Sequence, residues 1–427
     1  MQQHSTLGRE VDIDRFWQDV QTQARIGALP EGGLGRLALD ESDIEARLWL
    51  IEQAASLGAS AFHDPIGNLY LRREGRSPEL PPLLIGSHMD SQPRGGIYDG
   101  ALGVIAGLAV LRTLHEQDIT LECPVEVVSW TNEEGARFAP GTPGSAWFAG
   151  VRDIAAIMAS RDDAGVSFEQ ALAPCLEAME ARGSTKRETP FSPSAYLELH
   201  IEQGPVLDAG QLPACVVVGI QGVNWYRFRL QGRANHAGTT PMDMRRDAVM
   251  GAHALIRELE NCVNRRGSQV RFTIGKFSVA PDSINTIADE VSFTVDLRHP
   301  DGSVLAAIDD DFAALAATHW QGCPATLERL SSIAPVTFDS AILASLEQKL
   351  ETYATKAPRL VSGAFHDAIH LANLCPAAML FVACRDGISH HPDEHVEKDD
   401  AAVAVRALTD TVLALAATDD SGPATPG

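Results

Sequence analysis

The chain has 427 residues, 45% hydrophobic, 21% charged and only 6% aromatic, a length that predicts two or three domains each with a core of its own. Lys and Arg total 34 against 57 Asp and Glu, so the formal charge is −23. That excludes a protein built to bind phosphate backbones or anionic lipid, both of which need cationic excess.

From the amino terminus, the first twenty residues hold no basic region followed by an apolar run, so no secretory signal is expected. Glu41 to Leu57 has apolar residues at helical spacing, and Leu69 to Leu71 is a short strand. Pro82 to Ile85 is a strand leading into GSHMD. Ala101 to Leu114, the longest apolar run, is too short to span a bilayer and reads as a buried helix. Val125 to Trp130 is a strand leading into TNEEG. This alternation predicts an α/β domain with a mixed, mostly parallel sheet flanked by helices, and such folds gather functional groups at the carboxyl ends of strands.

The middle of the chain changes character. Cys215–Ile220, Tyr226–Gln231, Val270–Ile274 and Val291–Leu297 read as strands, with helices over about Arg246–Cys262 and Ser303–Thr318. Gly204–Pro205, Gly210–Pro213 and Ser331–Pro335 punctuate the two ends. The expected organisation is a catalytic domain in two pieces, 1–212 and 331–427, with a small α+β domain, 213–330, inserted. The short polar tail after Ala417 is expected to be disordered. Seven cysteines with no CxxC read as reduced thiols of a cytoplasmic protein.

Four short stretches carry the chemistry. In Gly86-Ser-His88-Met-Asp90, a metal-binding imidazole and a carboxylate to orient it stand two apart. Asp99 follows in a glycine-flanked turn, where one carboxylate can reach two metals. Glu133 and Glu134 are adjacent after a buried strand. So close a pair is costly without a cation, and one can bind metal while the other takes a proton from water. In Glu198-Leu-His200-Ile-Glu202, alternation puts the three polar groups on one face of a strand. Gly387-Ile-Ser389-His390-His391-Pro392 offers a late histidine ligand. Each alone reads equally as an ordinary polar turn or edge. Together, His, Asp and Glu ligands far apart in sequence are those of a catalytic site for one or two Zn²⁺-like ions, assembled by folding.

With these stretches in view, the sequence resembles the amidase branch of the M20 metallopeptidase-like hydrolases: N-carbamoyl-L-amino-acid hydrolases, β-ureidopropionases and allantoate amidohydrolases. The likeness runs from about Arg36 to Val405 on GSHMDSQPRGGIYDG, TNEEGARF, ELHIEQGPVL, ANHAGTTPM, INT with DLRH, and GISHHPDE. It implies two divalent metal ions (Zn²⁺, Mn²⁺ or Co²⁺) bridged by Asp99, with His88 and His200 on one and Glu134 and His390 on the other. His390 is preferred to His391 because the family pattern is Ser-His-x-Pro-x-Glu. Glu133 would be the general base, and Asp90 would support His88. The inserted domain would be a ferredoxin-like lid that also makes a homodimer. On it, His236 would reach the substrate, and Asn285 and Arg298 would hold its carboxylate, with Gln203 as a further substrate contact.

The implied reaction hydrolyses the carbamoyl group of a small ureido or carbamoyl amino-acid substrate. The alternatives are an allantoate or other ureide hydrolase, then an aminoacylase or dipeptidase, and last a non-catalytic binding protein. Two positions depart from the family. Phe365 stands where SGAGHDA has glycine, and Val223 stands where allantoate-type enzymes tend to carry glutamine.

Overall fold

The computed structural model describes residues 6–187 and 190–416; the tail after Ala417 lies outside them. The chain forms two compact units, residues 219–336 and the remainder. Among the described residues no helix is long and apolar enough to cross a membrane.

The larger unit is built on a mixed sheet. Its centre runs in the spatial order Ala377–Val382, Ala195–Ile201, Leu83–His88, Val125–Trp130, and these four strands are mutually parallel. All four are buried on both faces, as their near-continuous apolar sequences require. Antiparallel strands flank them: Leu69–Arg73 with Ser60–His63 on one side and Ala214–Ile220 on the other. The helix Ala101–Glu116 packs on the Leu83–His88 strand and is buried nearly all round, as its run of apolar residues predicts. Because the four central strands point one way, the turns after His88, Trp130, Ile201 and Val382 open along one edge of the sheet.

The second unit has a five-stranded antiparallel sheet ordered Arg271–Ala280, Glu290–His299, Gly222–Gln231, Cys323–Ile333, His319–Trp320. The helices Ala248–Asn264 and Gly302–Ala316 cover one face, burying Tyr226, Phe228, Phe293 and Phe312 among others. The opposite face carries Trp225, Arg227 and Arg229 at alternate positions.

Two strand assignments differ from the sequence reading. Ala214–Ile220 belongs to the large sheet, where its all-apolar sequence is buried on both faces. The small sheet takes Cys323–Ile333 instead, a strand of alternating exposed and half-buried residues to which the sequence pattern assigned no element.

Candidate metal centre

Each candidate side chain in the larger unit sits at the carboxyl end of a central strand or in the loop that follows one. His88 ends its strand, with Nδ1 2.9 Å from the backbone oxygen of Asp90. His200 Nδ1 lies 3.0 Å from the backbone oxygen of Ile201. Both rings therefore donate from Nδ1 and turn the Nε2 lone pair inwards, the tautomer a metal ligand needs. Both Nε2 atoms face the same oxygen: Asp99 Oδ1 is 3.5 Å from His88 Nε2 and 3.2 Å from His200 Nε2.

The other Asp99 oxygen faces a different set. Oδ2 is 3.5 Å from His390 Nε2, and His390 Nε2 is 3.4 Å from Glu134 Oε2. His88–Asp99–His200 and Asp99–Glu134–His390 are each compact enough to hold a metal ion, and Asp99 is common to both. Neighbouring His391 faces away, beside Asp393 and more exposed. Glu133 stands outside both sets, with Oε2 3.5 Å from His88 Nε2.

Backbone conformation follows the same demand. Gly100 has φ +63°, and a Cβ there would lie 2.3 Å from the His88 ring, so only glycine lets the Asp99 turn close on the histidine. Asn132, Gln203 and His390 all adopt left-handed φ of 60°, 56° and 55°. Strain of this kind, about 1–3 kcal/mol each, persists where surrounding contacts impose it.

The electrostatics call for a cation. Burial pushes the Glu133 carboxyl well above the usual range, with negative Asp367, Glu134 and Asp90 adding to it and His88 opposing. Burial and then Asp99 push Glu134 up to about 8. Burial opposes a charged His88 ring, yet Glu133, Asp99 and Asp90 hold its pKa well above the ordinary value. Buried His88 Nε2 and Glu134 Oε1 accept or donate no hydrogen bond. Unsatisfied inward-facing donors and crowded carboxylates, with no thiolate among them, fit divalent ions held by oxygen and imidazole.

A third compact group, Glu198–His200–His366, is different. Glu198 already accepts from Ser87 Oγ at 2.8 Å, Tyr196 OH at 3.1 Å and the Ala368 N–H at 3.0 Å. His366 pairs with Ser362 Oγ at 2.9 Å and packs edge-on against His200, ring centroids 4.4 Å apart. Glu198 and His366 behind His200 thus each have protein partners already. Sequence reasoning missed this, although the His366-Asp367 pair was in view.

Asp90 departs from its expected role. Its backbone carbonyl serves His88, while its carboxylate stands 3.8 Å from that ring. Instead Oδ1 accepts the Glu133 N–H and Oδ2 the Glu134 N–H, both at 3.2 Å. The carboxylate thus clamps the turn that carries the two glutamates. Asp90→Asn puts an amide N–H₂ against one of these donors, and is expected to destabilise the protein by about 1–3 kcal/mol. A crystal structure of the variant should show the 133–134 turn displaced and His88 Nδ1 still on the Asp90 carbonyl. Loss of the His88 orientation instead would contradict the clamp.

Glu394 is a second residue that spacing did not single out. Oε1 accepts the Tyr98 N–H at 2.9 Å and the Asp99 N–H at 3.1 Å, and Oε2 lies 3.0 Å from Ser389 Oγ. Ser389 Oγ is also 2.8 Å from Asp99 Oδ2. Glu394 therefore ties the His390 loop to the Asp99 turn, and the family-like Ser-His-x-Pro-x-Glu spacing was its only trace in sequence. Gln203 donates to Asp99 Oδ2 at 2.7 Å, which places it at the centre.

The remaining candidates lie in the second unit. His236 and Asn285 come together on a two-stranded ribbon, where the Ala237 N–H donates to the Asn285 carbonyl at 2.9 Å. The Gly238 N–H donates to His236 Nδ1 at 3.1 Å, which leaves the proton of a neutral ring on Nε2. Arg298 lies on the Glu290–His299 strand, directly across from Val223.

Comparison with known proteins places this geometry among relatives. The family model described as peptidase family M20/M25/M40 matches residues 84–414. An N-carbamoyl-L-amino acid amidohydrolase of Geobacillus stearothermophilus is 37% identical over 405 residues, covering 94% of this chain and 98% of the relative. An allantoate amidohydrolase of Bacillus subtilis is 33% identical, covering 93% of this chain and 96% of its own. A crystal structure of a hydantoinase/carbamoylase-family amidase from Burkholderia multivorans superposes with TM-score 0.87 at 38% identity, covering 96% of this chain and 98% of that one.

Proposed function

The chain belongs to peptidase family M20/M25/M40, and from that premise we propose that it is a metal-dependent amidohydrolase. It cleaves the ureido C–N bond of N-carbamoyl-L-amino acids or N-carbamoyl-β-alanine, giving the amino acid, carbon dioxide and ammonia. The observation that carries this reading is Asp99, one carboxylate whose two oxygens face two separate donor sets, with Glu133 beside them and in neither.

In this reading His88 and His200 complete the ligands of one ion, and Glu134 and His390 those of a second. Oxygen and imidazole donors suit Zn²⁺, Mn²⁺ or Co²⁺. Two such ions supply Lewis acidity to a carbonyl and bring the pKa of a water towards neutrality. The chain's own residues do the rest. Glu133 accepts a proton from the attacking water and returns it to the leaving nitrogen. His236 donates Nε2–H to the carbonyl oxygen as negative charge gathers there. Arg298 and Asn285 hold the substrate carboxylate, and Gln203 orients it. The carbamate released then falls apart to carbon dioxide and ammonia.

The carbamoyl amino acid is favoured over allantoate by Val223. It is apolar, directly across from Arg298, at the position where the resemblance puts glutamine in allantoate-type enzymes. The second unit is taken as the ferredoxin-like lid and dimerisation module. Its strands and helices alternate βαββαβ, and its outermost strand, Arg271–Ala280, ends the sheet with Phe277 exposed. A second copy is the partner that such an edge suits. Seven free cysteines suit the cytoplasm.

The test is ammonia release from N-carbamoyl-L-amino acids, N-carbamoyl-β-alanine and allantoate, by apo-protein reloaded with each metal. The highest kcat/KM is expected on an N-carbamoyl amino acid, by about tenfold or more over allantoate. Preference for allantoate would move the assignment to the alternative, and no ammonia from any of them would end it.

A further inference from the structure

Arg36 and Gln23 are both fully buried. Gln23 is the last residue of the helix Ile13–Gln23, and the final carbonyls of a helix lack partners within it. Arg36 meets that end, where a cation is favoured. Its Nη2 donates to the Gln23 carbonyl at 2.6 Å and to the Ile26 carbonyl at 2.9 Å, and Nε donates to the Ile26 carbonyl at 3.2 Å. Nη1 donates to the Met89 carbonyl at 3.1 Å, one residue after His88. The Gln23 amide completes a bridge. Its Oε1 accepts from Arg36 Nη2 at 2.8 Å, and its Nε2 donates to the Ile97 carbonyl at 3.0 Å, two residues before Asp99.

A guanidinium is costly to take out of water, and burial lowers the Arg36 pKa to about 10, with Asp43, Asp40, Asp90 and Glu45 opposing. An apolar side chain would fill the space without that cost. It would not join the turn after His88 to the turn before Asp99. The planar fork of the guanidinium reaches several fixed acceptors at once, which the single nitrogen of a lysine does not. The same amino-terminal segment braces these two turns by further contacts. The Arg36 N–H donates to Ser91 Oγ at 3.0 Å, and the Arg36 carbonyl accepts from the Ser91 N–H at 2.8 Å. Leu34 and Gly95 exchange both backbone bonds, at 2.9 and 2.8 Å. Trp17, on the helix, stacks on Tyr98 with ring centroids 5.8 Å apart.

We propose that Arg36 and Gln23 form a buried strut between the His88 turn and the Asp99 turn, and that they are positioning residues for the ion held by His88, Asp99 and His200. The inference rests on the reading of those three groups as metal ligands. Asp99 belongs to two donor sets, and the ties on its turn divide between them. Glu394 reaches the turn from the His390 loop, and Gln23 with Arg36 reaches it from the His88 side. Ligand distances to a divalent ion are fixed to about 0.2 Å, so a turn that drifts by more weakens the ion it serves. Loss of the strut therefore weakens one ion and spares the other, which Glu134, His390 and the Glu394 tie still hold.

Metal titration of the ion-free protein tests it, with Gln23→Met, Arg36→Lys and His88→Ala beside the parent, read by calorimetry and by the absorption spectrum of bound Co²⁺. His88→Ala identifies the binding step that belongs to the His88 set. Gln23→Met keeps the length of the side chain, suits a buried position and removes both ends of the bridge. It is expected to weaken that step by about 10–100-fold and to leave the other step within about threefold. Arg36→Lys keeps the charge and should weaken the same step by about tenfold or more. The Co²⁺ bands of that step should shift in both variants. Melting with and without metal separates positioning from support of the fold alone. A residue that only supports the fold lowers both melting temperatures together, whereas loss of the strut shrinks the rise that metal brings. An unchanged affinity for that step in Gln23→Met, or an equal loss at both steps, overturns the strut. Should Arg36→Lys fail to fold, Gln23→Met decides alone. Parent-like binding of both ions by His88→Ala would instead defeat the reading of His88 as a ligand, and the strut with it.

Discussion

Glu133→Gln is expected to lower kcat by about 10³–10⁴-fold while the protein keeps its full complement of metal. The substitution preserves shape and removes only the ability to take a proton. Glu133 lies in neither of the two ligand sets, so the groups that would hold metal remain intact. Its backbone N–H stays on the Asp90 carboxylate, so the turn and Glu134 stay where they are. What is lost is a carboxylate whose affinity for a proton is raised above the ordinary value by burial and by neighbouring acids, the direction a general base needs. Metal content by mass spectrometry together with turnover checks the claim. Activity within tenfold of the parent would remove Glu133 as the base. Loss of metal would instead make it a ligand.

The candidate site was legible in sequence to the extent that it sits at strand ends. His88, Glu133–Glu134, His200 and His390 each follow an apolar run that becomes one of four parallel neighbours. Parallel strands align their carboxyl ends, so residues more than a hundred positions apart converge once the sheet forms. Asp99 was legible for another reason, since glycine on both sides marks a turn that must close tightly, and Gly100 does close against the His88 ring.

What stayed hidden needed three-dimensional knowledge of hydrogen bonds. The two-residue spacing of His88 and Asp90 says that they are near each other. It does not say that the backbone carbonyl serves the ring and the carboxylate serves residues 133 and 134. Glu394 had no assigned role beyond its place in the Ser-His-x-Pro-x-Glu pattern. It is buried because Gly96 leaves room for it: a Cβ there would come within 2.0 Å of its carboxyl group. Glu198 and His366 were visible as polar letters in apolar stretches, but only the structure shows that each is already hydrogen-bonded within the protein. The small sheet was misread where pattern and burial disagree. Ala214–Ile220 is apolar enough for either sheet, and Cys323–Ile333 is too polar to stand out as a strand.

Chelating the metal is expected to abolish turnover and to leave a protein that weakens as pH rises. In the ion-free centre, Glu134 titrates at about 8 and Glu394 at about 7, both raised chiefly by burial from an ordinary 4.5. A carboxyl group with a raised folded pKa binds a proton in the folded state after the unfolded chain has released it. Unfolding therefore releases protons between about pH 4.5 and 8, and stability falls with rising pH across that window. His88 and His200 act in the same direction. Burial opposes their charged form, but nearby carboxylates raise both pKa values, so their favourable contribution is present at low pH and is lost as pH climbs through the folded value. A divalent cation at Glu134 removes that carboxylate's part of the penalty by replacing the proton. From pH 6 to pH 8 the ion-free protein should lose about 2–3 kcal/mol relative to the metal-loaded one, from one group at about 1.4 kcal/mol per pH unit. The gap between their melting temperatures should widen by about 3 °C. Loading metal at pH 7 should also release protons, measurable as a buffer-dependent heat of binding. A melting gap that stays constant or narrows towards pH 8 would mean that Glu134 does not meet the ion, and the second ligand set would have to be redrawn without it.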